Sequence, residues 1–127
     1  MDIAALLTYI ETGGFGIKGE SLFRGFMPSR VKEGVLLVTQ VPSLISPYTG
    51  LRQGAFQLIA RASNEDRARE IAATIIPFLD RVDGLVCGTT NYHVVRARHD
   101  PLTFPASAGA DVYEASVNFD VVYTIIP

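Results

Sequence analysis

The stretch from about Val112 to Ile125 most constrains what this chain can fold into. Val117, Phe119, Val121 and Tyr123 alternate with Asn118 and Asp120, the two-residue period of a half-buried antiparallel strand. A second strand, from about Ala55 to Ala62, has the same character. Phe56, Leu58 and Ala60 point to one face, and Gln57, Ile59 and Arg61 to the other. Between these strands the period changes. Ala68, Ile71, Ala72, Ile75 and Leu79 fall at helical spacing and form a core-facing stripe. Ser63 or Asn64 caps that helix, with Glu65 and Asp66 in its first turn, where the helix dipole favours acids. Burying each large aliphatic of the stripe contributes roughly 1.5–3 kcal/mol, which makes this helix the centre of the fold. Pro77 removes one helical hydrogen bond and predicts a kink or stop nearby.

Upstream, Asp2 can cap a short helix in which Ile3, Leu6, Leu7 and Ile10 share one side, and Gly13 and Gly14 end it. The run GGFGIKG reads as a mobile or tightly turned connection, and ESLFRGFMPSRVKEG as partly extended without a regular pattern. A strand follows at Val35 to Val41, then a loop through SLISPYTGLR, and a further strand at about Tyr92 to Arg98. The order helix, strand, strand, helix, strand, strand excludes a doubly wound parallel sheet. The expected fold is α+β: a mainly antiparallel four- to five-stranded sheet with two helices packed on one face. With 127 residues and no linker or repeat, residues 1–127 are read as a single domain.

Composition narrows the function. A 48% hydrophobic and 19% charged chain is ordinary globular material, and a net charge of −2 argues against a dedicated nucleic-acid binder. One cysteine forms no internal disulfide, and the acid at position 2 does not suit a signal peptide. No apolar run approaches membrane-spanning length. These features lead us to expect a soluble protein of a reducing compartment, with no membrane partner.

The residues that could carry chemistry are few. His93 and His99, six apart on a strand, would share a face about 20 Å apart at ~3.3 Å per residue, too far to share a metal. Cys87, in VDGLVCGTTN, could be a nucleophile with His93 as base across a turn, but free cysteine behaves mostly as a small hydrophobe. GGFGIKGES does not match a phosphate loop, and the helix precedes it rather than following. The acidic pairs Glu65–Asp66 and Asp80–Asp83 read as capping and solvation. No catalytic, cofactor or metal residue is assigned. Arginine outnumbers lysine nine to two, and Arg96 and Arg98 with Arg61 could form a basic strip, serving either an interface or edge protection.

Taken in order and spacing, four segments carry a resemblance: IAALLTYIETGGFG, LFRGFMP (Leu22 to Pro28), FQLIARASNEDRAREIA (Phe56 to Ala72) and GADVYEASVNFDVVYTI (Gly109 to Ile125). The chain resembles the phage tail terminator, or tail completion, family, whose members are often labelled minor capsid proteins. The resemblance implies a non-enzymatic virion protein of the tail or neck, assembled in the host cytoplasm. It implies a ring, typically of six subunits, that caps the tail tube, ends its polymerisation and docks to the head-side connector. DNA would only pass through its lumen.

A cyclic ring uses two different complementary patches on each subunit. Phe23, Phe26 and Met27, in an irregular stretch, are candidates for one patch. The loop Ser43 to Arg52, with Leu44, Ile45 and Tyr48, is the candidate for the other, with Arg96 or Arg98 as polar partners. Both segments could instead pack onto their own sheet. Two alternatives stay open: a head-completion or connector protein of the neck, and a small enzyme or ligand-binding domain using Cys87 and His93.

Overall fold

The computed structural model describes residues 1–39, 44–46, 49–105 and 111–127. In chain order the elements are α1 (Ile3–Thr12), β1 (Leu22–Arg24), β2 (Gly34–Thr39), β3 (Leu44–Ile45), β4 (Arg52–Ala62), α2 (Glu65–Leu79), β5 (Leu85–Cys87), β6 (Thr90–Ala97), β7 (Leu102–Pro105) and β8 (Tyr113–Ile125). The strands join one sheet in the order β1-β2-β4-β8-β6-β5, with β3 added to β4 and β7 added to β8.

This corrects the expected sheet. It has eight strands rather than four or five, and it is mixed, because β1 pairs parallel to β2. The extra strands are two to four residues long, too short to show a period in sequence. The parallel pair is possible without a helical crossover because β1 spans only about 10 Å, well within the reach of residues 25–33. Part of the stretch expected as a loop before Arg52 is β3, and the expected end of the earlier strand at Val41 lies outside the described residues.

β4 and β8 are the spine, paired antiparallel from Arg52↔Tyr123 to Ala62↔Tyr113. Their inner faces carry Phe56, Leu58, Ala60 and Ala62 against Ala115, Val117, Phe119, Val121 and Tyr123, all buried. Phe56 and Phe119 stack with ring centroids 4.9 Å apart. α2 lies over these two strands with Ala68, Ala72, Ile75 and Leu79 buried; alanines on both helix and sheet let the backbones approach closely. Asn64 is its cap, accepting from the Arg67 amide, and the helix stops two residues after the exposed Pro77. Ile71 is half-buried at the rim of the core.

α1 touches β1, β2 and β5, elements from both ends of the sheet, so the sheet curls into a half-barrel around its apolar contents. Asp2 fixes this closure. Its carboxylate accepts from the amides of Ala5 (3.0 Å) and Thr89 (3.2 Å), and its own amide donates to Thr90 Oγ1. Gly88, at φ +59°, sits under that carboxylate, where a Cβ would collide with it. Tyr9 stacks on Phe78 at 4.5 Å and joins the two helices. The glycine-rich exit of α1 is tightly turned, with the Leu22 and Ser21 amides both donating to the Ile17 carbonyl.

Candidate functional site

The outer face of the sheet bears a second, smaller apolar cluster: Met27, Val31 and Leu36 are buried, with Phe23, Val38 and Ile59 packed against them. The cluster exists because residues 25–33 fold back over the sheet. Arg61 holds them there. Its guanidinium bonds Glu114 at 3.0 Å and also donates to the carbonyls of Pro28 (3.0 Å) and Val31 (3.2 Å). Both side chains of the ion pair are 14% exposed. Met27 therefore anchors its own segment, and Phe23 is half-buried beside it. Phe26, between them in sequence, is turned outward and 71% exposed. Gly25 makes that turn possible at φ +74°.

Of the other candidate surface, Ile45 is 55% exposed, while Tyr48 and the side chain of Leu44 lie outside the described residues. Arg96 and Arg98 are exposed, and each has an acid: Arg96 Nε lies 3.7 Å from Asp80, and Arg98 Nε donates to Asp120 at 3.1 Å. That bond holds the Asp120 carboxyl below the usual carboxylate range. With Arg61 committed to Glu114, the three arginines form no unneutralised strip.

The Cys87 thiol is buried behind α1. Desolvation, reinforced by the Asp2 carboxylate, pushes it up to about 11, so the thiolate is scarce at neutral pH. His93 stands at a bulge in β6 and contacts Thr124, a neighbour of the inward-facing Tyr123 on β8. His99 contacts Asn118 at 3.1 Å. Cys87 and His93 are thus on opposite faces of the sheet. Among the described residues no three His, Cys, Asp or Glu side chains group to hold a metal. A cleft of about 480 Å³ between α1 and β1 is lined by Ala4, Leu7, Lys18, Gly19, Leu22, Phe23 and Arg24, a basic rim on an apolar floor.

Two features escaped the sequence reading. The Arg61–Glu114 clamp joins residues 53 apart, which no local spacing reveals. Leu102 and Phe104, 60% and 40% exposed on β7, alternate with Thr103 in a run bracketed by Pro101 and Pro105. That alternation is the signal that could have found them.

What these surfaces make is a small curled-sheet protein with exposed apolar residues and no assembled reactive centre among the described residues. The chain belongs to the bacteriophage tail terminator protein family, whose model matches residues 9–125. It is a structural protein of a phage tail. By fold it is similar to a chain of the "Virion of native gene transfer agent (GTA) particle", at a TM-score of 0.72 and 13% identity, covering 94% of this chain and 92% of that one. A second solved chain matches at a TM-score of 0.55 and 15% identity, covering 96% and 91%. No curated protein sequence matches it.

Proposed function

We propose that this protein forms a ring, of six subunits, that caps the tail tube of a tailed phage or phage-like particle. The ring ends tube polymerisation and docks to the head-side connector, and DNA passes through its lumen. The observation that carries this reading is the family match across residues 9–125. Exposed Phe26 and Ile45 support it, since large apolar side chains at such exposure suit contacts with other subunits. The protein acts by assembly and not by catalysis. Its site of action is the tail–neck region of the virion.

Sedimentation of the purified protein at micromolar concentration, alone and with uncapped tail tubes, tests this. A discrete ring in either condition, with tubes of uniform length when the protein is present, is the expected result. A monomer in both conditions, or tubes whose length does not respond, defeats the ring reading. Binding to the head-side connector without any effect on tubes would favour the head-completion alternative.

A further inference from the structure

The charges left without partners are not scattered. Six arginines make ion pairs: Arg61, Arg67, Arg69, Arg81, Arg96 and Arg98. Among the described residues, Arg24, Arg30 and Lys32 make no ion pair; nor does the Lys18 ammonium, which donates to Thr8 Oγ1 while the Lys18 amide donates to the Glu11 carboxylate; all four are exposed. Arg52, on β4, is the other arginine without an ion pair. The four cations flank β1, with Glu20 as the sole acid between positions 18 and 32, and the exposed Phe26 stands among them. The opposite pattern surrounds β7. Asp100 and Asp111 are exposed without an ion pair, Leu102 and Phe104 stand exposed between them, and no lysine or arginine follows Arg98 in the chain.

β1 with Arg24 and β7 lie at opposite lateral margins of the sheet, while Arg30 and Lys32 stand on the segment that Arg61 holds over the outer face. β1 ends the sheet on one side, and β7 lies beyond β8 on the other, with β2, β4 and β8 between. At about 4.8 Å per strand, Arg24 on β1 and Leu102 on β7 are four strand spacings, about 19 Å along the sheet, apart. Each patch combines apolar side chains with an excess of one sign of charge, and the signs are opposite; Arg69, which reaches Thr103 on β7, is neutralised by Glu65 and Asp66. That is what a head-to-tail contact requires, since it uses two different surfaces that complement each other and not themselves.

We propose that the margin bearing Arg24 and Phe26 receives the β7 margin, bearing Asp100, Leu102 and Phe104, of the next copy of this chain. The inference rests on the ring reading above and names its contact. Aromatic and arginine side chains carry most of the energy of such contacts, so Phe26 and Arg24 are the anchors on the basic side. The charge pairs set direction and partner, and they weaken with salt.

Two variants separate this proposal from the ring reading itself. Arg24→Gln with Phe26→Ser removes the basic margin, and Asp100→Asn with Leu102→Ser removes the acidic one; all four positions are exposed, so folding is spared. Where the wild type forms rings, each variant alone stays monomeric, its self-association weakened more than about tenfold. An equimolar mixture yields heterodimers and nothing larger, because one intact pair of patches remains between unlike partners. If either variant still forms rings, or the mixture forms no heterodimer, the contact is wrong while the ring stands. Rings that form but fail to attach to tail tubes would assign the basic margin to the tube and overturn the proposal. A wild type that never forms rings sinks both readings. Should circular dichroism show either variant unfolded, Arg24→Gln alone and Asp100→Asn alone, both at exposed positions, repeat the experiment.

Discussion

Asp2 joins three segments with one side chain and one amide: the first turn of α1, the turn after β5 and the start of β6. Backbone donors from Ala5, then Thr89, hold its carboxyl below its ordinary 3.8. A folded-state value below the unfolded one means that the stabilisation is complete above about pH 4. It fades as pH falls through the folded value. Asp2→Ala should therefore cost about 1–2 kcal/mol at pH 7, in the range of lost N-caps. Urea melts at pH 7 and pH 3 check this. The gap between variant and wild type narrows at the lower pH, and an unchanged gap would deny the carboxylate its role.

At the scale of elements, the β4–α2 contact separates two positions that look alike in sequence. Leu58 is fully buried, whereas Ile71 is half-buried. Leu58→Ala should cost roughly 2–5 kcal/mol, and Ile71→Ala less than about 1.5 kcal/mol, because part of its side chain stays in water in either state. Chemical denaturation of the two variants measures the difference, and equal losses would contradict the assigned face. The segment over the outer face depends on a polar clamp instead. Arg61→Ala leaves Glu114 and two carbonyls without their donor, so a loss of about 1–3 kcal/mol is expected, with faster proteolysis within residues 25–33. Arg61→Lys should not restore protection, since one ammonium cannot reproduce the planar fork that spans three acceptors. Full protection in the lysine variant would reduce the clamp to charge alone.

For the whole molecule, the curled sheet, plugged by α1 and backed by α2, leaves Phe26, Leu102 and Phe104 exposed. Under the proposed ring reading, the protein acts through where its edges lie and not through a reactive group. Cys87→Ser and His93→Ala should accordingly leave tail completion intact, as scored by the yield of infectious particles and by tube length. Loss of function in either, with fold and assembly unchanged, would promote the enzyme alternative.

Local chemistry determined α1, β4, α2 and β8. Asp2 and Asn64 are caps wherever they start a helix, and the periods of Ile3–Ile10, Phe56–Ala62, Ala68–Leu79 and Val117–Tyr123 are long enough to read. The same patterns, in order, carried the family resemblance, and Phe26 was legible as an unpatterned aromatic. Tertiary structure decided the rest. Strands of two to four residues have no period of their own, so β1, β3, β5 and β7 exist only because a longer neighbour offers them hydrogen bonds. Adjacent residues of one irregular segment, Phe26 and Met27, had opposite fates because Arg61, brought in from β4, folded that segment over the sheet. Whether an arginine is a free charge or a buried clamp depends on which acid the sheet register places opposite it. Register is a property of paired strands and not of either strand alone.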